Sequence, residues 1–108
     1  MASYLGEKIK TLRKKAGLTL EALAKEAGLS KSYLWELENR EAQRPSVEIL
    51  EGLAQALKVS VSFFLEDDDS TTPKEQHIDD AFFRNYQKLG SAEKEKLRKI
   101  MDIIQNED

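Results

Sequence analysis

Apolar residues recur along this chain at intervals of three and four, and the recurrence restarts several times. Residues 4–16 place Leu5, Ile9, Leu12 and Ala16 on one stripe, which predicts an amphipathic helix. Gly17 stands where that helix should end, because glycine accepts the left-handed backbone of a C-terminal cap. Thr19 precedes a second run, in which Leu20, Leu23, Ala24 and Ala27 turn inward and which Gly28 closes. Ser30 opens a third run to about Asn39, with Leu34 and Leu37 facing inward. The polar connection "REAQRPS" follows. Its Pro45 cannot extend a helix and disfavours helix at Arg44. Ser46 opens a fourth run, with Val47, Ile49, Leu50, Leu53, Ala54 and Leu57 as its apolar face, and Ser60 opens a short fifth, "VSFFLE". An N-cap Ser or Thr satisfies an orphan backbone N–H and is worth about 1 kcal/mol. Thr19, Ser30, Ser46 and Ser60 each coincide with a change of hydrophobic phase.

The pattern breaks at "EDDDSTTPKEQ", residues 66–76. Three adjacent Asp, two Thr and a Pro read as a solvated linker. A calcium loop of the EF-hand kind needs Gly at its sixth position and Glu at its twelfth. Counted from Asp67, those positions hold Thr72 and Ile78. Two further amphipathic stretches follow. Ile78, Phe82, Tyr86 and Leu89 line one face of the first, with Phe83 beside them. Gly90 is expected to stop it and Ser91 to cap the next, striped by Leu97, Ile100, Met101 and Ile104. Joined by "LGSA", they form an αα-hairpin. Two helices bury too little surface to stand alone, so their stripes must meet the N-terminal core or the same hairpin on another chain. The expected division is an all-α domain over residues 1–66, an acidic linker over 67–76 and a helical hairpin over 77–108. Phe82, Phe83, Tyr86, Leu97, Ile100, Met101 and Ile104 are the expected dimer contacts.

The third run raises a question of its own. Its hydrogen-bonding residues, Ser30, Lys31 and Ser32, lie at the front, ahead of the apolar positions. It is joined to the second helix by the tight turn "AGLS", where Gly28 supplies a left-handed position and Leu29 can tuck beneath. Small Ala24 lets the two helices approach closely. This is the sequence shape of a helix-turn-helix, whose second helix enters the DNA major groove N-terminus first.

Charge refines that reading. The net charge of −3 hides an asymmetry: residues 1–66 carry ten Lys/Arg and nine Asp/Glu, whereas residues 67–108 carry seven and eleven. The positive charge clusters in the first helix as Lys8, Lys10, Arg13, Lys14 and Lys15. On charge alone, that cluster fits a solvated face as well as a polyanion contact. Other chemistry finds little support. There is no Cys for a disulfide, a thiolate metal site or a thiol nucleophile, and the one His, His77, lies in a polar stretch. Neither a cofactor nor a metal nor enzymatic activity is expected. No apolar run approaches the roughly 18 residues of a membrane span, and no secretion segment opens the chain. A cytoplasmic location without membrane contact is expected.

Over about residues 5–66 the chain resembles the Xre/Cro-type regulators and is similar to the lambdoid phage repressors. The residues that carry the resemblance are the order of five helices, "LT-EALA-EAGLS", "YLWELEN" and "PSVEILEGLAQAL". The resemblance implies a five-helix, lambda-repressor-like DNA-binding domain. By position it implies that Ser30, Lys31, Ser32 and Glu36 face base edges. Lys31 would donate to guanine O6/N7, Ser32 would donate or accept, and Glu36 would accept from cytosine N4. Asn39 and Arg44 would contact phosphate, Arg40, where the chain departs from the pattern, would add a phosphate contact, and Tyr33 would bond phosphate or pack at the groove wall. Arg13 and Glu38 match a structural ion pair tying the first helix to the third.

The chain also departs from the pattern. Leu20 replaces a Gln common at the start of the second helix, Arg40 replaces the usual Gly after "EN", and Trp35 is large for its position. Trp35 is expected either to be partly buried against a neighbouring element, the C-terminal hairpin included, or to touch sugar or base directly. The function implied is a sequence-specific transcriptional regulator, a repressor, bound to double-stranded DNA as a homodimer on a near-palindrome. The alternative is an antitoxin or interaction module whose hairpin docks a protein partner.

Overall fold

The computed structural model describes residues 4–40 and 44–106. Among them, seven helices and no strand are formed: α1 (Tyr4–Lys15), α2 (Leu20–Ala27), α3 (Lys31–Asn39), α4 (Val47–Leu57), α5 (Val61–Leu65), α6 (Glu75–Gln87) and α7 (Ser91–Gln105). The all-α class and the order of helices agree with the sequence reading. Residues 41–43 of the "REAQRPS" connection, and the outermost residues of the first domain and the hairpin, lie outside the described residues.

The first five helices share one core. Ile9, Leu12, Leu23, Ala24, Leu34, Leu37, Leu50, Leu53, Ala54, Val59, Phe63 and Phe64 form it, drawn from all five helices and the turn before α5. The helix ends follow local chemistry. Thr19, Ser30 and Ser46 each accept a hydrogen bond from the backbone N–H three residues on, at 3.0, 3.1 and 3.3 Å. α1, α2 and α4 finish in a left-handed residue, Gly17, Gly28 and Lys58 respectively. After each, the next N–H returns to a carbonyl five residues back: Leu18 to Arg13, Leu29 to Ala24 and Val59 to Ala54. Each of those three residues is apolar and packs in or against the core. This is the hydrophobic contact that accompanies a Schellman end.

Two expected caps are replaced. Ser60 makes no side-chain bond to the α5 backbone, because its Oγ lies 2.7 Å from Ser62 Oγ and 3.1 Å from His77 Nδ1. Ser91 is the first residue of α7 rather than its cap, a place taken by Gly90.

Lys8 is the main surprise of α1. It sits at the i+3 position of the stripe begun by Leu5 and is 1% exposed. Its ammonium has three donors. It donates to Phe63 O and to Glu66 O, both at 2.8 Å, and stands 3.3 Å from Asp68 Oδ1. A buried cation is tolerated when all its protons are placed, and here they cap the C-terminus of α5. The hydrogen bond from Lys8, joined by the Ser70 N–H, holds the Asp68 carboxyl below its ordinary value of 3.8. Lys8 is therefore withdrawn from the basic cluster expected on α1.

The hairpin leaves most of the stripe expected as a dimer contact open and docks on the head through other residues. His77 and Ala81 are buried, whereas Ile78, Phe82 and Phe83 are exposed. His77 O accepts from Ser60 N at 3.1 Å, and the imidazole packs 5.5 Å from the Phe63 ring. His77 Nε2 lies 3.2 Å from Glu66 Oε1 but lacks hydrogen-bond geometry to it. Arg84 reaches Val59 O at 3.5 Å. His77, which lies in a polar stretch of the sequence, is thus the buried anchor of α6. The polar positions dock because their partners are the exposed ends of α4 and α5, where backbone carbonyls and N–H groups need satisfying. α7 buries none of its residues, and Lys94 Nζ over the Tyr86 ring, at 5.4 Å, joins it to α6. The molecule measures 49 × 25 × 24 Å.

Candidate nucleic-acid interface

The turn between α2 and α3 sets the site. Gly28 (φ 74°) reverses the chain, and Leu29 packs against the core beneath it. Ser30 then starts α3 with its Oγ accepting from Tyr33 N. The Ser30 oxygen is thereby engaged, while its exposed hydroxyl keeps a proton to donate. Leu34 and Leu37 are buried, so the opposite side of α3 must face water.

That open side carries Lys31 and Ser32, both exposed, and Glu36, half-buried. Together with Leu20, Trp35 and Arg40 they line one open concavity of about 400 Å³. Ser32 and Glu36, four apart, lie one above the other, and Lys31 adjoins them at the N-terminal rim of the same concavity. They are neither buried nor scattered.

α3 is held rigidly from behind. Arg13 Nε donates to Glu38 Oε2 at 2.7 Å and its Nη2 to Glu38 Oε1 at 3.0 Å, while Nη1 donates to Leu18 O at 3.0 Å. Glu38 is buried and Arg13 half-buried. One planar guanidinium therefore ties α1, the α1–α2 turn and α3 together with bidentate geometry. Gly6 adds a close approach. A Cβ there would fall 2.7 Å from Glu38 O and 2.8 Å from Leu37 O, so any larger residue would push α1 off the end of α3. The sequence reading passed over Gly6, whose spacing in α1 gave no sign of the contact.

The residues expected at phosphate are arranged less uniformly. Tyr33 is half-buried against the core. Asn39 is exposed, and its Nδ2 donates to Trp35 O at 2.9 Å, which satisfies a carbonyl in the last turn of α3. Arg40 is exposed, with its guanidinium 5.9 Å from the Trp35 ring centre. Arg44 is exposed just before Pro45. Trp35 is 46% exposed, and the Arg40 guanidinium is its ring neighbour. In the α1 cluster Lys8 is buried and Arg13 is committed to Glu38; Lys14 and Lys15 remain exposed.

No cluster of three or more His, Cys, Asp or Glu residues arranged to hold a metal occurs among the described residues. Among them no helix is long and apolar enough to cross a membrane.

Comparisons with known proteins converge on the same region. A family model described as a helix-turn-helix domain matches residues 4–62. The transcriptional regulator SinR of Bacillus licheniformis is 40% identical over 67 residues, 62% of this chain and 60% of that protein. The chain thus spans about three fifths of the length of this curated relative. A crystal structure of SinR, the master regulator for biofilm formation, in complex with DNA superposes with a TM-score of 0.55 at 40% identity, covering 57% of this chain and 98% of that one. A complex of SinR protein with SinI protein covers 95% of this chain and 99% of the other, at 26% identity and a TM-score of 0.56. The capped turn, the buried ion pair behind α3 and the match over residues 4–62 agree: the chain belongs to the Xre/Cro-type, lambda-repressor-like helix-turn-helix family.

Proposed function

We propose that this chain is a sequence-specific DNA-binding transcriptional regulator, acting as a repressor, that inserts α3 into the major groove. The observation that carries the reading is the placement of Lys31, Ser32 and Glu36 on one solvent-facing side of a helix whose other side is locked to the domain. Base edges are read by donors and acceptors held in a fixed frame. The Arg13–Glu38 pair and the capped turn provide that frame. Ser30 joins the base-reading set through its remaining proton. Arg40, Arg44, Asn39 and Tyr33 border it and are suited to phosphate oxygens. The SinR relative crystallised with DNA supports the same assignment. A small head seated in the groove excludes other proteins from that stretch of duplex, which makes repression the simplest regulatory outcome. The setting is the cytoplasm, and the chain itself carries out no catalysis.

The dimer is part of the reading. Phe82, Phe83, Ile100, Met101 and Ile104 are exposed on the hairpin, with Tyr86 and Leu97 half-buried among them. Large apolar side chains left exposed along two neighbouring helices suit an interaction site. Two heads joined there raise each other's effective concentration on DNA. Their half-sites would lie roughly 34 Å apart, one helical turn, in a near-palindrome. A second reading, a hairpin that takes a different protein as partner, is favoured by the SinR–SinI complex, whose match extends through the hairpin.

The test is a titration of the full chain against an operator selected from random duplexes, repeated at several salt concentrations. Affinity should fall steeply with salt, with a log–log slope of about −0.9 per neutralised phosphate. Failure to retard any duplex at low salt would exclude DNA binding and leave only the protein-interaction reading.

A further inference from the structure

The concavity on α3 contains two side chains that phosphate and hydrogen-bond reading do not require. Trp35 presents 46% of its surface to solvent, and Leu20, at the start of α2, lines the same concavity. Lys31, Ser32 and Glu36 line the same concavity, with Arg40 near the indole. An exposed tryptophan is costly in water, because its large apolar surface gains free energy only when covered. The edges of the major groove offer a single apolar group, the C5-methyl of thymine, and beside it the thymine O4 acceptor. An apolar wall flanked by a Lys or Ser donor is complementary to that pair of features. It is not complementary to the edges of guanine or cytosine, which carry no methyl.

We propose that Trp35, backed by Leu20, is a specificity-determining residue that reads the methyl group of one thymine in each half-site, with Lys31 or Ser32 donating to the same base's O4. The inference rests on the DNA-binding reading above and names the base chemistry that this chain's own departures from the family pattern select. Arg40 over the indole orients the ring and carries positive charge to the adjacent backbone. Trp35 is 46% exposed and forms no part of the core, so its replacement leaves the fold standing.

The experiment begins with an operator selected by the full-length chain from random duplexes. Each thymine of that operator is then replaced singly by uracil, which removes the methyl and leaves the pairing unchanged. Wild-type protein should lose roughly fourfold in affinity at one thymine per half-site, the value of about one buried methyl group. Trp35→Ala should bind the parent operator more weakly and show no further loss at that uracil. Trp35→Phe should keep part of the methyl preference, and Lys31→Ala should keep it in full. If wild type tolerates every uracil, or Trp35→Ala remains as methyl-sensitive as wild type, the assignment is overturned while the DNA-binding reading stands. If selection enriches no sequence at all, both are overturned together.

Discussion

Lys8 shows how a charged residue becomes part of a fold. Its sequence neighbours suggest a basic surface cluster, yet its position in the α1 stripe turns it inward, where Phe63 O, Glu66 O and Asp68 take its three protons. The clue lay in the helical phase, because residues 5, 8, 9 and 12 share one face. Residue type argued the other way and was the weaker guide. Lys8→Ala should destabilise the head by about 2–4 kcal/mol, through two abandoned carbonyls and a cavity. A urea titration checks this, and an unchanged midpoint would show that the network contributes nothing. At the site itself, Lys31, Ser32 and Glu36 were singled out through the family resemblance, and the structure gathers them in one concavity. The cation–π contact of Arg40 with Trp35 was not legible, because it depends on where α3 ends.

At the scale of elements, helix starts and stops were legible wherever the signal is local. Thr19, Ser30 and Ser46 cap as expected, and Gly17 and Gly28 take the left-handed backbone. The misreadings arose where a tertiary partner outcompetes the local bond. Ser60 gives its hydroxyl to His77 and Ser62 instead of its own helix. α6 docks through His77, Ala81 and Arg84 because α4 and α5 offer polar backbone ends, and no periodicity argument could reveal that. The C-terminal end of α4 also suggests an improvement. Lys58 adopts φ 61°, a conformation that strains any residue with a Cβ. Lys58→Gly should therefore stabilise the chain by roughly 0.5–1 kcal/mol, after glycine's extra unfolded-state entropy is deducted. Thermal unfolding of the two proteins measures it, and a lowered midpoint would mean that the lysine side chain contributes a contact of its own.

At the scale of the whole molecule, a tightly packed head carries a hairpin whose apolar surface remains open. Composition suggests a division into head, linker and hairpin, and α1 to α5 share one core. The residues named as dimer contacts are mostly the ones left exposed, but a stripe in sequence does not say whether its partner lies in the same chain. Ile100 and Ile104 lie on α7, which buries nothing within the chain, so the double substitution Ile100→Glu/Ile104→Glu should leave the head folded and convert a dimer to monomer in analytical ultracentrifugation. A dimer that survives it would place the contact elsewhere. The exposed end of α3 is what the other proposals depend on, and one measurement reaches it directly: the affinities of wild type and Lys31→Ala for the selected operator, for each of its single-base-pair variants and for random duplex. The account predicts that Lys31→Ala loses about 1–3 kcal/mol on the operator, loses its discrimination at one base pair per half-site and changes little on random DNA. Equal losses on every duplex, with discrimination intact at all positions, would contradict it.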